Sequence, residues 1–600
     1  MHYYAYPIKL GPIQTVPYAG SMLPDIGQGR WWRLSVQYML LAGCIGVLML
    51  LLVYPILLTV RGGFYEDVAK REGFTLRHLL LVFEDPRLRI GLFNSLRLAV
   101  LTTISAILIA LPLAIVSARY RFPGKSFFSA MVLVPLILPP FVGAIGMRAL
   151  IGREGALNAL LGTDFDILGD ARIFGVVLVQ AFSLYPIIYL NATAALANLD
   201  PALDEAAENL GASFWKRLWS VTLPLVRPGV FAGGTIVFIW SFTELGTPLM
   251  FDYPQVTAVQ IFNGLKEVET SAKPYALTVV MLTTAILAYF LGKYCFGGKA
   301  YAMYSKASRA GSEKPLTGGP GILACAAFAL VSFLALLPHL GVILTSLSST
   351  GQWYATVLPS SFTTDHFKEA LTATDSFTAI TNSLKLAGAA MVVNIAFGIL
   401  ISYLLVRTTV KGRAILDGLT MLPLAVPGLV MAFGYVAMSL RWPFGDGPLG
   451  GFASVIAVDP NPVPFLIGAY AVRRLPYVVR STVAGLEQTS GELEEAAVNL
   501  GASRVTAIRR VILPLIVANL IAGGLLVFSF SMLEVSDSLI LAQKTEDFPI
   551  TKAILAFGDR LGDGPHVASA LGVWGMALLT VTIFASSLLL GKKLGSIFRV

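Results

Sequence analysis

The chain has 600 residues, of which 56% are hydrophobic and only 13% charged, and its mean hydropathy is +0.73. That apolar content exceeds what one globular core buries, which excludes a soluble single-core protein and makes the bilayer the natural solvent. The net charge of +9 does not call for a nucleic-acid partner, because the basic residues fall in short clusters between apolar runs, the positive-inside pattern. These clusters are Arg119, Arg121 and Lys125; Lys216 and Arg217; Lys299, Lys306 and Arg309; Arg407, Lys411 and Arg413; and Arg504, Arg509 and Arg510.

A spanning helix needs about 20 mostly apolar residues. In chain order, residues 1–33 read as a cytoplasmic N-terminal tail, and the first apolar run is too long for a signal-peptide core, so it is expected to remain as a helix. The stretches that follow the spanning pattern are 34–60, 93–118, 127–150, 173–197, 228–250 and 275–298, then 322–345, 383–406, 414–440, 463–482, 516–541 and 567–591. Between them, residues 301–321 are rich in Ser, Gly, Lys and Pro, the composition of a flexible cytoplasmic linker. The expected fold is therefore an all-α integral membrane protein of about 12 transmembrane helices, six in residues 34–300 and six in residues 322–600. Cys44, Cys295 and Cys325 lie in or beside these spans without metal-ligand spacing and read as packing residues.

The two halves are copies. EAAENLGAS from Glu205 to Ser213 returns as EAAVNLGAS from Glu495 to Ser503, and the same offset of 290 residues relates Pro186 to Pro476, Pro224 to Pro514 and Glu244 to Glu534. An offset of 288 relates Asn94-Ser95-Leu96 to Asn382-Ser383-Leu384, and Pro135 and Pro139 to Pro423 and Pro427. Six spans per copy give both halves the same orientation, so this is a parallel duplication.

The repeated loops, near 198–226 and 488–516, are polar islands between the fourth and fifth spans of each half. After Asp200-Pro201, apolar residues at helical spacing predict a short amphipathic helix, and Gly211 permits the positive φ that ends it. Ser213 is placed to cap a second helix whose apolar face is Phe214, Leu218 and Val221, with Pro224 as its exit. The second copy repeats this with Gly501, Ser503, Val505 and Pro514. A helix-turn-helix presented twice suits two equivalent grooves on a symmetric partner, while the acids Asp204, Glu205, Glu208, Glu492, Glu494 and Glu495 fit poorly against anionic lipid.

This pattern, EAA, three residues, a glycine, then a gap and Leu-Pro, closely resembles the EAA loop of binding-protein-dependent ABC importer permeases. The resemblance covers nearly the whole chain and implies the type I permease fold, here as a fused double permease. It implies that Glu205, Ala206, Ala207 and Gly211, with Glu495, Ala496, Ala497 and Gly501, contact two copies of an ABC ATPase subunit at the cytoplasmic face. It further implies an extracytoplasmic substrate-binding protein and a place in the bacterial inner membrane with the N-terminus cytoplasmic. Val498 replaces Glu208 in the second copy. The chain carries no phosphate-binding G-x-x-x-x-G-K-[ST] loop and no H-E-x-x-H site, so no cofactor is expected on it, and ATP and Mg belong to the partner subunits.

Charged side chains inside spans are costly unless paired or facing water. Glu244, Glu534, Asp537, Arg473 and Arg474 are candidates either to line a translocation pathway or to pair and lock the two halves together, with Tyr185 as a further candidate. Asn94 and Asn382 are expected to form interhelical hydrogen bonds, and the prolines at 135, 139, 140, 423 and 427 to kink the third and ninth spans. A proton- or sodium-coupled secondary transporter is the alternative of another class, but it leaves the repeated loops without a role. A membrane enzyme would need a clustered constellation that His2, His78, His339, His366 and His566 do not form. Fused double permeases of this kind resemble the ferric-iron group, with thiamine and 2-aminoethylphosphonate permeases as relatives, and the ELGTPLM stretch from Glu244 resembles the ferric-iron type. Carboxylates suit a hard cation, whereas Arg473 and Arg474 suit an anion.

Overall fold

The computed structural model describes residues 27–137, 139–169, 171–197, 199–296 and 314–590. Most of the expected N-terminal tail, most of the 301–321 linker, the Lys299, Lys306 and Arg309 cluster and the side chain of Cys295 lie outside the described residues or side chains. Among the described residues nine helices are long and apolar enough to cross a membrane, or eleven if each of two bent pairs is one span. The tenth expected span is a helix, Val463–Glu487, but it carries Arg473, Arg474 and Arg480 and is less apolar than the rest.

The third and ninth spans are not kinked rods. Each is a pair of helices meeting near a right angle: Lys125–Ile137 with Pro140–Leu161 at 97°, and Arg413–Ala425 with Gly428–Ser439 at 106°. Proline removes a backbone donor and forces the residue before it out of helical geometry, so Pro139-Pro140 and Pro427 produce full breaks. The fifth and eleventh spans also break. Helix Leu223–Phe242 stops before a separate short helix, Gly246–Met250, and Leu513–Met532 stops before Ser536–Leu541. Glu244 and Glu534 stand in those two breaks.

The first span of each half packs on the other half. The first span, Leu34–Gly62, lies against the eighth, Thr374–Arg407, and both helices of the ninth. The seventh, Gly319–Leu347, lies against the third and fourth spans. Each exchange crosses at a glycine of a bent span: a Cβ on Gly146 would lie 2.3 Å from the Val342 nitrogen, and one on Gly434 would lie 2.8 Å from the Pro55 carbonyl. Only a residue without a side chain lets two backbones approach so closely.

The apolar core shows how the halves meet. On the side away from the repeated loops one cluster runs across both halves, joining Phe141, Val142 and Met147 to Leu429–Met438, Leu539–Leu541 and Val567–Leu571. On the loop side the core divides. Ala106, Leu113, Leu184, Ile188 and Val237 cluster with Phe328 and Ala335 of the seventh span, and Ile401, Leu404, Leu416, Leu475 and Val479 cluster with Leu41, Cys44 and Leu48 of the first. Leu486, Ile512, Ile516 and Leu520 form a further second-half cluster. Among the described residues the core is thus one cluster shared by both halves at the far side, and at the loop side it divides into separate clusters, two of which join one half to the exchanged first span of the other.

Candidate functional site

The two repeated loops share one backbone design. Asp200 accepts from the Ala202 N–H at 2.9 Å to start helix Pro201–Asn209, and Ser490 accepts from the Glu492 N–H at 3.2 Å to start Glu492–Asn499. Both helices end in glycines at positive φ, +79° at Gly211 and +91° at Gly501. Ser213 and Ser503 then cap the next helix by accepting from Lys216 N and Thr506 N. That second helix is not a separate unit, contrary to the helix-turn-helix expectation. It passes through a π-turn, Leu218–Thr222 or Ile508–Ile512, straight into the fifth or eleventh span. The wide turn leaves a place where a donor is missing, which suits Pro224 and Pro514 immediately after it.

Each loop presents a leucine that the sequence reading passed over: Leu210 is 88% and Leu500 90% exposed. They follow Asn209 and Asn499 at the same repeat position. Glu205, Ala206, Glu495 and Gly211 are exposed beside them, as is Gly501, while Ala207, Ala496 and Ala497 vary between exposed and half-buried. No atom lies within 4 Å of a Cβ built on Gly211 or Gly501.

The first loop is anchored by charge. Arg119 and Arg217 bind Asp204 at 3.2 and 3.5 Å, Arg217 binds Glu208 at 3.4 Å, and Lys314 binds Glu208 at 3.2 Å. The Lys314 hydrogen bond, followed by the charge of Arg217, holds the Glu208 carboxyl below its ordinary range. Lys314 comes from the end of the connector, where Lys314–Pro315 pairs as a short parallel strand with Tyr120–Arg121. The second loop is anchored by neutral groups and carbonyls: Tyr403 donates to Glu494 at 2.7 Å, and Arg407 donates to the Leu486 and Thr489 carbonyls.

The intramembrane charges divide unequally. Arg473 donates to Glu534 at 2.6 Å and to Asp537 at 3.3 Å, and Arg474 pairs with the other oxygen of Glu534. All four belong to the second half, so this network does not lock the halves together, as the pairing expectation had it. Their proximity comes from the breaks: the tenth span carries both arginines past the interrupted eleventh, and the Arg473 guanidinium fills the space where Gly428 lacks a side chain at the ninth-span break. In the first half Ser183 and Leu184 occupy the arginine positions. Glu244 there is half-buried and accepts from the Thr247 N–H and hydroxyl, at 3.2 and 3.3 Å, with no arginine paired to it among the described residues. The two breaks meet between the halves, since a Cβ on Gly246 would lie 3.1 Å from Val535 Cγ1. Tyr185 is fully buried in the first-half core, away from that seam.

Asn94 and Asn382 do not bond helix to helix. Asn94 donates to the Gln255 carbonyl at 2.9 Å and Asn382 to the Glu546 carbonyl at 2.7 Å, on the far-side loops. Their neighbours Ser95 and Ser383 accept from Thr257 N and Ile550 N, capping two far-side helices, Thr257–Asn263 and Ile550–Gly558.

The family described as the inner membrane component of binding-protein-dependent transport systems matches residues 110–337 and 394–595. This chain belongs to that family. It is a membrane-spanning transport subunit of an ABC importer, the two matches being its two permease repeats. A ferric transport system permease protein, FbpB of Actinobacillus pleuropneumoniae, is 27% identical over 87% of this chain and 73% of its own length. The Fe(3+)-transport system permease protein FbpB 2 of Haemophilus influenzae is 26% identical over 79% of this chain and 85% of its own length. The molybdenum transport system permease protein ModB of the same organism is 34% identical over 26% of this chain and 71% of its own length. A solved bacterial transporter that imports the polysaccharide alginate matches with a TM-score of 0.38 and 15% identity, over 44% of this chain and 98% of that one. As a member of this family the permease works with ATPase and substrate-binding partners.

Proposed function

We propose that this permease supplies both halves of the translocation pathway for ferric iron, with one ATPase subunit docked on each repeated loop. The carrying observation is the matched pair of exposed leucines, Leu210 and Leu500, each beside a glycine with open space around it. Glu205, Ala206, Ala207 and Gly211, and Glu495, Ala496, Ala497 and Gly501, form the two contacts. ATP binding draws the two loops together, and because each loop helix continues into the fifth or eleventh span, the displacement reaches Glu244 and Glu534 directly. The loop face is then cytoplasmic. So is the N-terminus, since Tyr38, near the start of the first span, accepts from the Lys411 N–H on that face.

Iron is favoured as cargo because relatives that align over 87% and 79% of this chain carry ferric names, and because Glu244 presents a carboxylate with no arginine partner among the described residues. A hard cation prefers oxygen ligands of that kind. The paired Arg473 and Arg474 are neutralised in place by Glu534 and Asp537, which weakens the case for an anion such as a phosphonate.

The test is uptake of radioactive iron by proteoliposomes holding the permease with its ATPase and binding protein. Gly211→Asp together with Gly501→Asp abolishes uptake while the protein remains folded and inserted; normal uptake in that double variant sinks the coupling assignment. Uptake that survives ATP depletion but collapses with the ion gradient points instead to secondary transport.

A further inference from the structure

Lys552 sits on the outer helix Ile550–Gly558, outside the membrane-spanning segments, and no carboxylate pairs with it among the described residues. Its ammonium donates to the Leu539 carbonyl at 2.8 Å, on the short helix that follows the eleventh-span break. It also stands 5.2 Å from the ring centroid of Phe262 and 5.6 Å from that of Phe548. Phe262 belongs to the first half, on helix Thr257–Asn263, and Phe548 to the second. Burial pushes the Lys552 ammonium down to about 8. A cation held between two aromatic faces and a carbonyl is attracted by ring quadrupole and carbonyl dipole without a counter-charge.

Its position ties it to the machinery at the seam. Thr551, the preceding residue, donates to the Glu534 carbonyl at 2.7 Å, so the outer helix rests on the eleventh-span break. Six residues on, Gly558 approaches the first half, where a Cβ would lie 3.2 Å from Met250 Cε. The outer helix is therefore braced on the charged break of its own half and meets the other half twice, at Phe262 and at Met250. Its first-half counterpart, Thr257–Asn263, begins on the same serine cap but has Val259 where the second half has Lys552, so the contact is made from one side only.

We propose that Lys552 is a gating residue that holds the outer seam of the permease closed through its cation–π contact with Phe262 of the opposite half. The contact joins the halves at the side where their core is shared, so it exists only while that side is sealed. An interaction present in one state alone biases the equilibrium towards that state. Opening the seam to receive cargo from a binding protein must part Lys552 from Phe262. This rests on the importer reading for its purpose, but the latch itself is a property of the two halves and can be read without cargo.

The experiment uses the full permease–ATPase complex with Cys44, Cys295 and Cys325 replaced by Ser, and cysteines introduced as Met250→Cys and Gly558→Cys to report the sealed seam by cross-linking. Lys552→Met is expected to lower the nucleotide-free cross-linking yield by about two- to fivefold, the population change that loss of one partly desolvated cation–π contact supports. Lys552→Arg restores the yield, because the cation is kept. Phe262→Leu, made in the other half, reproduces the loss and serves as the reporter variant should Lys552→Met fail to assemble. An unchanged yield in Lys552→Met or Phe262→Leu overturns the proposal, as does equal loss in Lys552→Arg and Lys552→Met, which marks a packing role. Failed iron uptake with a normal cross-linking pattern instead counts against the cargo and leaves the latch standing.

Discussion

The breaks in the fifth and eleventh spans occupy the same repeat position, yet Glu244 and Glu534 live in different environments. Glu534 is buried and clasped by two arginines, whereas Glu244 is half-buried, accepts from Thr247 and has no arginine paired to it among the described residues. The backbone frame is common to both halves: the Asn-Ser pairs that hold the far-side helices, the π-turns, the positive-φ glycines and the right-angle breaks all recur. Side-chain chemistry has diverged on that frame. Duplication thus kept what positions the helices and let one half specialise in internal charge pairing while the other retained an acid at the seam.

Removing Glu534 should have the largest effect. Glu534→Ala leaves the half-buried Arg473 and Arg474 with only Asp537 as a carboxylate opposite them, and removing one partner of a buried pair costs up to about 3–5 kcal/mol. Thermal unfolding in detergent is expected to show a large fall in midpoint, whereas Glu244→Gln should leave the midpoint nearly unchanged and reduce iron uptake. Equal thermal losses in the two variants would erase the distinction between a structural and a pathway carboxylate.

Next in size are the glycine crossings, which test whether the exchanged first spans are held alike. Gly146→Val and Gly434→Val each force a side chain into backbone at 2.3 and 2.8 Å, an overpacking cost of about 1–3 kcal/mol. Similar losses of folded yield, by size-exclusion profile, are expected from both. Loss from one alone would show that only one exchange bears on stability.

The smallest effect concerns the loops. Lys314→Met removes the main partner of Glu208, so that carboxyl should rise towards its ordinary range, observable by carbon-13 NMR of labelled glutamate. Because the folded carboxyl is depressed, its contribution to stability is present above the ordinary carboxylate range and is lost as pH falls through the depressed value. The second loop, with Val498 at this position and Tyr403 on Glu494, should show no matching change; a matching change would mean the loops are anchored alike.

The sequence by itself determined the duplication, the approximate places of the apolar spans, and the caps and turn glycines of the loops. Helix caps, turn glycines and helix-breaking prolines act through neighbours a few residues away, so Ser213, Gly211 and Pro427 announce their roles locally. Local signals also overstated one thing: Pro224 looks like a helix exit, and the π-turn that carries the helix through it has no short sequence signature. Only the tertiary structure decided which half each first span packs on, that Arg473 and Arg474 pair within the second half, that Asn94 and Asn382 hold far-side loops, and that the core is shared at one face and divided at the other. These are contacts between residues tens to hundreds of positions apart, fixed by how helix backbones cross and which voids remain at the breaks. Hydropathy and spacing along one chain carry no information about those crossings, because any apolar helix face satisfies the bilayer equally well.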